Sequence, residues 1–214
     1  MSERNGALAG MIGPAMFAFI AVVLTVLQYN FLVRLGWEPV GVSDVPWPSA
    51  LALGPYGSLQ ILDFVLFGIM LIVFAAGLQR GVAPSGRVSW AGPALLIVAG
   101  VALVVLAFKA DLHMSARAHT WHGSIHLATF LLLGLSFLFS LLFLWRSMGR
   151  DPLWRGYGWY SLVSAGLAVV LFFMPGQLAV YLFFAVLLVW VEVVAIHLRF
   201  IAEGVRAQRS VQVR

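Results

Sequence analysis

Six long apolar runs, separated by short segments that hold the charged and turn-forming residues, constrain this chain more than any other feature. They lie at about 8–33, 57–79, 89–110, 121–145, 157–174 and 177–201. An α-helix rises 1.5 Å per residue, so about 20 apolar residues cross the roughly 30 Å hydrocarbon core of a bilayer. The sequence therefore predicts an all-α, polytopic bundle of six transmembrane helices.

The composition excludes a water-soluble fold. Hydrophobic residues make up 62% of the 214 residues and charged residues 10%, whereas an ordinary soluble domain is about 45–50% apolar and about 25% charged. The six spans use most of the length, so we expect residues 1–214 to form a single transmembrane domain. The chain has no cysteine, which excludes disulfides, thiolate metal sites, iron–sulfur clusters and covalently attached c-type haem.

The basic residues predict the orientation of the bundle. Most of them fall on one side of the predicted spans: Arg4, Arg80, Arg87, Arg146, Arg150, Arg155, Arg199, Arg206, Arg209 and Arg214. The other side holds Arg34, Lys109 and Arg117. By the positive-inside rule, both termini are cytoplasmic, and the loops at 34–56, 110–120 and 174–177 face outward from a bacterial cell membrane.

These basic residues also indicate the partners. They flank apolar runs, so membrane lipids are the expected partners and nucleic acid is not. The tail at 203–214 is short and basic, and we expect it on the cytoplasmic side against anionic headgroups. The sequence leaves the oligomeric state undetermined.

A histidine cluster is the strongest local signal. His119, His122 and His126 stand at i, i+3 and i+7 and share one face if the fourth span begins near residue 118. His122 and His126 could chelate one Zn²⁺ through two imidazoles, with Asp111, His113 or His119 completing the site. The alternative is that these histidines bond to neighbouring carboxylates, carbonyls and water.

Three further polar residues fall within or beside predicted spans. Asp63 lies in the outward half of the second span, where an unpaired charge is costly, and Lys109 could supply an ion pair. Asp63 could instead belong to an outward polar pocket, and both Asp63 and Asp111 are candidate general bases. Glu192 lies in the inner half of the last span. We expect it to face the bundle interior, as a buried polar clasp to serine hydroxyls or as a proton-relay acid.

Other cofactors are not expected. A b-type haem needs two facing histidines at similar depth, and most histidines here lie near one surface. A retinal Schiff base needs a buried lysine, and Lys109 ends a span; no nucleotide is expected either. Two glycine pairs, Gly6 with Gly10 and Gly77 with Gly81, match the GxxxG spacing of packed membrane helices, but among 21 glycines we expect such matches by chance.

Several short motifs resemble the six-span membrane proteins called domain of unknown function 998. They are Ser49-Ala-Leu-Ala-Leu-Gly54, Phe67-Gly68, Gly77-Leu78, Ala107-Phe108 with Asp111, and His122-Gly-Ser-Ile-His126. This resemblance implies six spans but no particular activity. The Asp and HxxxH combination is also distantly similar to the alkaline ceramidases and adiponectin-type receptors. That similarity implies zinc-dependent cleavage of a lipid, although those proteins have seven spans and take zinc ligands from two helices.

Three functions are compatible with these features. The first is an outward pocket of Asp63, Asp111 and the four clustered histidines that binds a lipid headgroup or a small polar ligand. The second is a zinc-dependent membrane lipid hydrolase, in which the metal activates a water and a carboxylate acts as base. The third is a small-solute or proton-coupled transporter, which requires a polar path from the histidines to Glu192.

Overall fold

The chain folds into helices joined by short turns. The computed structural model describes residues 2–82, 90–111 and 120–212, with side chains described as far as 204. The helices are α1 (Glu3–Leu27), α2 (Tyr29–Arg34), α3 (Gly57–Val82), α4 (Ala91–Val105), α5 (Trp121–Met148), α6 (Arg155–Phe173) and α7 (Gln177–Gln212), with a 3₁₀ turn at Ser49–Leu53. The described ranges contain no strand, so the all-α prediction is confirmed.

The helix lengths agree with a protein that crosses a membrane several times. Five helices, α1, α3, α5, α6 and α7, are long and apolar enough to span a bilayer. The sixth apolar helix, α4, has 15 residues, which is about 22 Å of helix. The first predicted span, 8–33, is divided at Gln28 into α1 and α2. The third, 89–110, is shorter than predicted because the chain turns out of the helix after Val105.

The six long helices form a closed ring in chain order. Each packs against the next, and α7 returns to pack against α1, with an additional contact between α3 and α7. One end of the ring, which we name the Asp111 end, holds the starts of α5 and α7 together with Ser49 and Asp111. The start of α1, the end of α3 and Trp154 lie at the other, the Trp154 end.

The main core lies toward the Trp154 end. Trp154 and Trp190 are fully buried there, together with Phe74 and Leu144. Each indole N–H has a partner: Trp154 donates to the Gly81 carbonyl at 3.2 Å, and Trp190 donates to Ser161 Oγ at 3.0 Å. These bonds connect neighbouring segments within an apolar interior, where an unpaired N–H is costly.

The loop at 34–56 folds over the Asp111 end. Trp37 is buried, and the Trp47 ring packs edge-on against Tyr181 of α7 with centroids 4.8 Å apart. The Trp47 indole N–H also donates to Thr25 Oγ1 of α1 at 2.9 Å. Both tryptophans therefore anchor the loop to the helices, and the loop brings Ser49 over the centre of the ring.

Candidate functional site

A cavity of about 840 Å³ enters the ring from the Asp111 end. Its polar residues are concentrated at that end, which we call the mouth and define by Asp44, Ser49, Asp111, His126 and Gln177. The rest, which we call the shaft, is lined by apolar side chains that include Phe64, Phe67, Leu71, Leu103, Phe130, Phe137, Leu141, Leu187 and Val191. Along α7 the lining runs from Gln177 to Val191, a rise of about 21 Å. The cavity thus reaches past the middle of a hydrocarbon core that is about 30 Å thick.

The cavity exists because three helices separate toward the Asp111 end. No residue is fully buried in 127–135 of α5, 169–173 of α6 or 180–189 of α7. The same helices hold buried residues further along, at Ser136–Met148, Gly158–Ala168 and Trp190–Leu198. Leu135 lines the cavity and yet is 54% exposed, and Leu131 and Phe172 are also about half exposed. The cavity wall is therefore exposed on the outside of the bundle between α5 and α6.

Ser49 and His126 form a hydrogen-bonded pair in the wall of the mouth. Ser49 Oγ lies 3.0 Å from His126 Nε2, and His126 Nδ1 lies 2.6 Å from the carbonyl oxygen of Phe108. A carbonyl oxygen only accepts, so Nδ1 carries the proton and Nε2 of the neutral ring accepts the Ser49 hydroxyl proton. Ser49 and His126 are only 8% and 7% exposed. Three segments that are far apart in the sequence contribute to these hydrogen bonds: the 3₁₀ turn, the segment after α4 and the first turns of α5.

Asp111 lies against Gly123 of α5, which is one helical turn before His126. Its carboxylate accepts from the Thr120 backbone N–H at 3.1 Å and from the Thr120 hydroxyl at 2.5 Å. It also fills the space that a Cβ at Gly123 would occupy. Gly123 and His126 stand at i and i+3 and share one helix face. The absent side chain at Gly123 therefore lets a carboxylate approach the imidazole along α5.

His122 does not join this pair. Its Nδ1 lies 3.0 Å from Thr120 Oγ1 and 3.2 Å from the Lys109 carbonyl oxygen. Thr120 caps the start of α5 by accepting from the Gly123 N–H at 3.1 Å. His122 thus fastens the cap of α5 to the segment that leaves α4.

Zinc binding stays a prediction. His113 and His119 lie outside the described residues, and within the described part of the chain no group of three or more His, Asp or Glu side chains could hold a metal ion. Both ring nitrogens of His126 have partners, Phe108 and Ser49. In this arrangement, the described residues do not by themselves fit a zinc centre of His122, His126 and Asp111.

The ion pair between Asp63 and Lys109, one of two alternatives that the sequence left open, is not formed among the described residues. Asp63 is 0% exposed on α3, and neither carboxylate oxygen has a hydrogen-bond partner among the described residues. Gln60, one turn before it, is equally buried and unpartnered. Neither side chain lines the cavity, because this face of α3 points away from it. The structure therefore does not bring Asp63 together with Asp111 and His126.

Glu192 is also separate from the mouth. It is partly exposed, and it has no hydrogen bond to Ser136, Ser140, Ser161 or Ser164, which are themselves among the described residues. Instead, Ser161 accepts from Trp190 and Ser140 donates to the Gly92 carbonyl. The clasp, one of two alternatives given for Glu192, is therefore not formed among the described residues. Glu192 is absent from the cavity lining, whose deep part is apolar, so the polar path that a transporter requires is not seen within the described residues.

The mouth is rich in hydrogen-bond acceptors. Asp44 and Asp111 are acidic, and Gln177 is buried with its Oε1 atom unpartnered among the described residues. No lysine or arginine occurs among the described residues that line the cavity. Within the part of the chain that the structure describes, the mouth therefore presents carboxylate and amide oxygens.

Sequence reasoning named His126 and Asp111 but missed Ser49 and Gln177 as site residues. Ser49 lies in a proline-rich loop, and nothing in its local sequence indicates that the loop folds inward onto α5. Gln177 follows Gly176, where φ is +97°, and it looked like an ordinary helix start. The contact that could have linked Ser49 to His126 spans 77 residues and has no sequence periodicity.

Comparison with known proteins gives a family but no activity. No curated protein and no solved structure matches the chain. A family model described as protein of unknown function (DUF998) matches residues 47–199, a stretch that begins beside Ser49 and includes Asp111 and His126. Because that match covers more than half of the 214 residues, the chain belongs to the DUF998 family of membrane proteins.

Proposed function

We propose that this protein binds a single long-chain membrane lipid, with an acyl chain in the shaft and the polar head at the mouth. The observation that carries the proposal is the cavity itself, about 840 Å³ in volume, apolar along its length and polar at one end. Binding pockets for small molecules are typically about 300–1,000 Å³ and mostly apolar, with a few placed polar groups. A dry apolar channel of about 21 Å matches an acyl chain better than a small polar solute.

The mouth supports a particular kind of head group. Asp44 and Asp111 make the mouth acidic, and the Gln177 Oε1 atom has no partner among the described residues, so a hydroxyl or ammonium donor on the lipid would pair with Gln177 Oε1. A head with net negative charge would meet the like charges of Asp44 and Asp111. We therefore propose a neutral or zwitterionic lipid rather than an anionic one.

The exposed wall between α5 and α6 supports entry from the bilayer. Leu131, Leu135 and Phe172 line the cavity and are about half exposed on the outside of the bundle. A lipid chain could pass between α5 and α6 without crossing water, which avoids the cost of exposing apolar surface. By the arginine distribution, the Asp111 end faces outward, so the proposed lipid comes from the outer leaflet of the cell membrane.

Two glycines offer a matched test of the cavity. A Cβ built on Gly134 of α5 or on Gly166 of α6 meets no atom within 4 Å, but only Gly134 lines the cavity. Gly134→Phe would fill the shaft, while Gly166→Phe adds the same ring elsewhere. The proteins are placed in nanodiscs of equimolar phosphatidylethanolamine, diacylglycerol and phosphatidylglycerol, and co-purifying lipid is counted by native mass spectrometry.

The wild-type protein and Gly166→Phe are expected to retain one lipid, and Gly134→Phe to lose it. Phosphatidylethanolamine and diacylglycerol are expected to exceed phosphatidylglycerol by about tenfold, which corresponds to about 1.4 kcal/mol. Equal retention by both phenylalanine variants would overturn the cavity as the binding site. A preference for phosphatidylglycerol would overturn the assignment of the head group.

A further inference from the structure

We infer that Ser49 and His126 form a nucleophile and general-base pair that hydrolyses an acyl ester of the lipid held in the cavity. This inference rests on the proposed lipid binding and adds a reaction to it. Of the predicted zinc ligands, His126 takes part as the base and Asp111 as a positioning residue, and the reaction uses protein side chains and water alone.

The geometry of the pair is that of an activated serine. Ser49 Oγ lies 3.0 Å from His126 Nε2, within the range of about 2.6–3.2 Å over which a base removes a hydroxyl proton. The bond from His126 Nδ1 to the Phe108 carbonyl at 2.6 Å fixes both the tautomer and the direction of the ring. In serine hydrolases a buried carboxylate fixes the histidine in the same way. Here a backbone carbonyl has that role.

A negative charge nearby compensates the neutral carbonyl. When His126 accepts a proton, the ring becomes cationic, and the Phe108 carbonyl alone stabilises it less than a carboxylate would. The Asp111 carboxylate, which occupies the space beside Gly123 on the same helix face, lies one turn away. Asp111 is thus a positioning residue that favours the imidazolium, because its negative charge attracts the cationic ring.

The pair lies where the ester of a bound lipid would be. Ser49 and His126 belong to the mouth, and Phe130, one turn further along α5, belongs to the shaft. A lipid ester likewise lies between a polar head and an apolar chain. With the chain in the shaft and the head near Asp44 and Gln177, the ester carbonyl comes next to Ser49 Oγ.

The reaction consumes one water and needs no other reagent. Ser49 Oγ bonds to the ester carbonyl carbon as His126 Nε2 takes the hydroxyl proton. The carbon–oxygen bond to the head-bearing alcohol then breaks, and His126 returns the proton to the alcohol oxygen. Water from the mouth attacks the acyl-Ser49 ester with His126 again as base, which releases the fatty acid and restores the serine hydroxyl.

An alkyl fluorophosphonate tests the nucleophile directly. Attack by an activated serine on phosphorus expels fluoride and leaves a stable covalent adduct, whereas a serine that only bonds to a histidine does not react. The full-length protein in phosphatidylethanolamine nanodiscs is treated with the dodecyl probe, and the modified residue is located by peptide mass spectrometry. Fatty acid released from the same nanodiscs is measured in parallel.

Three variants separate chemistry from folding. Ser49→Ala removes the nucleophile, and His126→Gln keeps a hydrogen-bond acceptor but no base. Ser124→Ala removes an exposed serine of α5 that lies outside the cavity lining. Retained lipid, counted by native mass spectrometry, reports for each variant whether the cavity is still formed.

We expect wild type and Ser124→Ala to be labelled at Ser49 and to release fatty acid. Ser49→Ala should show neither, and His126→Gln should be slower by about 100-fold or more. An unlabelled wild-type protein that still retains lipid would overturn the inference and leave the proposed binding intact. A labelled protein that retains no lipid and releases no fatty acid would overturn both the lipid substrate and the proposed function. Labelling of His126→Gln at the wild-type rate would overturn the role of His126.

Discussion

Gly6 of α1 and Gly77 of α3 face each other where the two helices cross. A Cβ built on either glycine would lie 2.6 Å from the Cα of the other. The two backbones therefore approach closely at the Trp154 end, and the neighbouring Gly10 and Gly81 lie against Phe74 and Leu198. Gly6 and Gly77 thus form a small-residue contact between α1 and α3, and the expectation of a chance match is wrong for these two glycines, whereas Gly81 packs against Leu198 of α7.

Replacing Gly77 with valine should loosen this crossing. The new side chain would collide with backbone atoms of Gly6, which cannot move aside as the end of a flexible side chain can. We expect a loss of about 1–3 kcal/mol in the free energy of unfolding, seen as a lower apparent melting temperature in detergent. Gly166→Val, at a position with nothing within 4 Å of its Cβ, is the matched control. Equal melting temperatures for the two variants would contradict the close crossing.

The Ser161 hydroxyl should stabilise the core through Trp190. Trp190 is 0% exposed, and Ser161→Ala removes the acceptor of its indole N–H at 3.0 Å. An unpaired buried donor costs about 1–3 kcal/mol, which chemical or thermal unfolding would detect. The loss should largely disappear when the same change is made in a Trp190→Phe background, since no N–H remains to be satisfied. A persistent loss in that background would mean that the serine acts through its other bond, to the Tyr157 carbonyl.

Much of the fold could be predicted because lipid imposes a simple rule on the chain. Backbone groups must be satisfied within each span, so apolar runs of the right length become helices. The predicted run 57–79 corresponds to α3 at Gly57–Val82, and the run 121–145 to α5 at Trp121–Met148. The apolar pattern does not predict that the first run is divided at Gln28. That division depends on the loop that folds back over the Asp111 end, where Gln28 Nε2 donates to the Leu51 carbonyl oxygen.

The site was less predictable because it depends on contacts between distant segments. The spacing of His122 and His126 placed both on the first turns of α5, as observed. Their partners are a loop hydroxyl and backbone carbonyls from the end of α4, namely Ser49, Phe108 and Lys109. Any residue type supplies a backbone carbonyl, so sequence alone does not mark it. The separation of α5, α6 and α7 that opens the cavity is likewise a property of packing.

Asp63 should reduce stability. It is fully buried in α3 and neither carboxylate oxygen has a partner among the described residues. Asp63→Leu removes an acid from the outward half of α3; because a charged side chain costs about 2.5–3.5 kcal/mol at the centre of a membrane helix and less toward its ends, we expect a higher apparent melting temperature. Glu203→Gln, which breaks an exposed ion pair with Arg199 at 2.9 Å, should change the stability by less than about 1 kcal/mol. A marked drop for Asp63→Leu would contradict this expectation, because it would mean that the acid stabilises the folded protein.

The bond between Trp47 and Thr25 should hold the loop that carries Ser49. Thr25→Val keeps the shape of the side chain but removes the oxygen that accepts the Trp47 indole proton at 2.9 Å. This partly buried hydrogen bond is expected to contribute about 1 kcal/mol, which corresponds to about a fivefold change in an equilibrium. We therefore expect faster amide hydrogen exchange over residues 36–56 and about fivefold weaker retention of lipid in nanodiscs.

Thr129→Val is the matched control for this variant. The Thr129 hydroxyl bonds only to carbonyls of its own helix, Ile125 at 2.7 Å and His126 at 3.0 Å. Because the helix keeps its backbone bonds without that hydroxyl, exchange over 36–56 should stay at the wild-type rate. If Thr25→Val left both exchange and lipid retention unchanged, the loop would be held mainly by the packing of Trp47 on Tyr181, and Trp47→Leu would then be the change that releases Ser49 from His126.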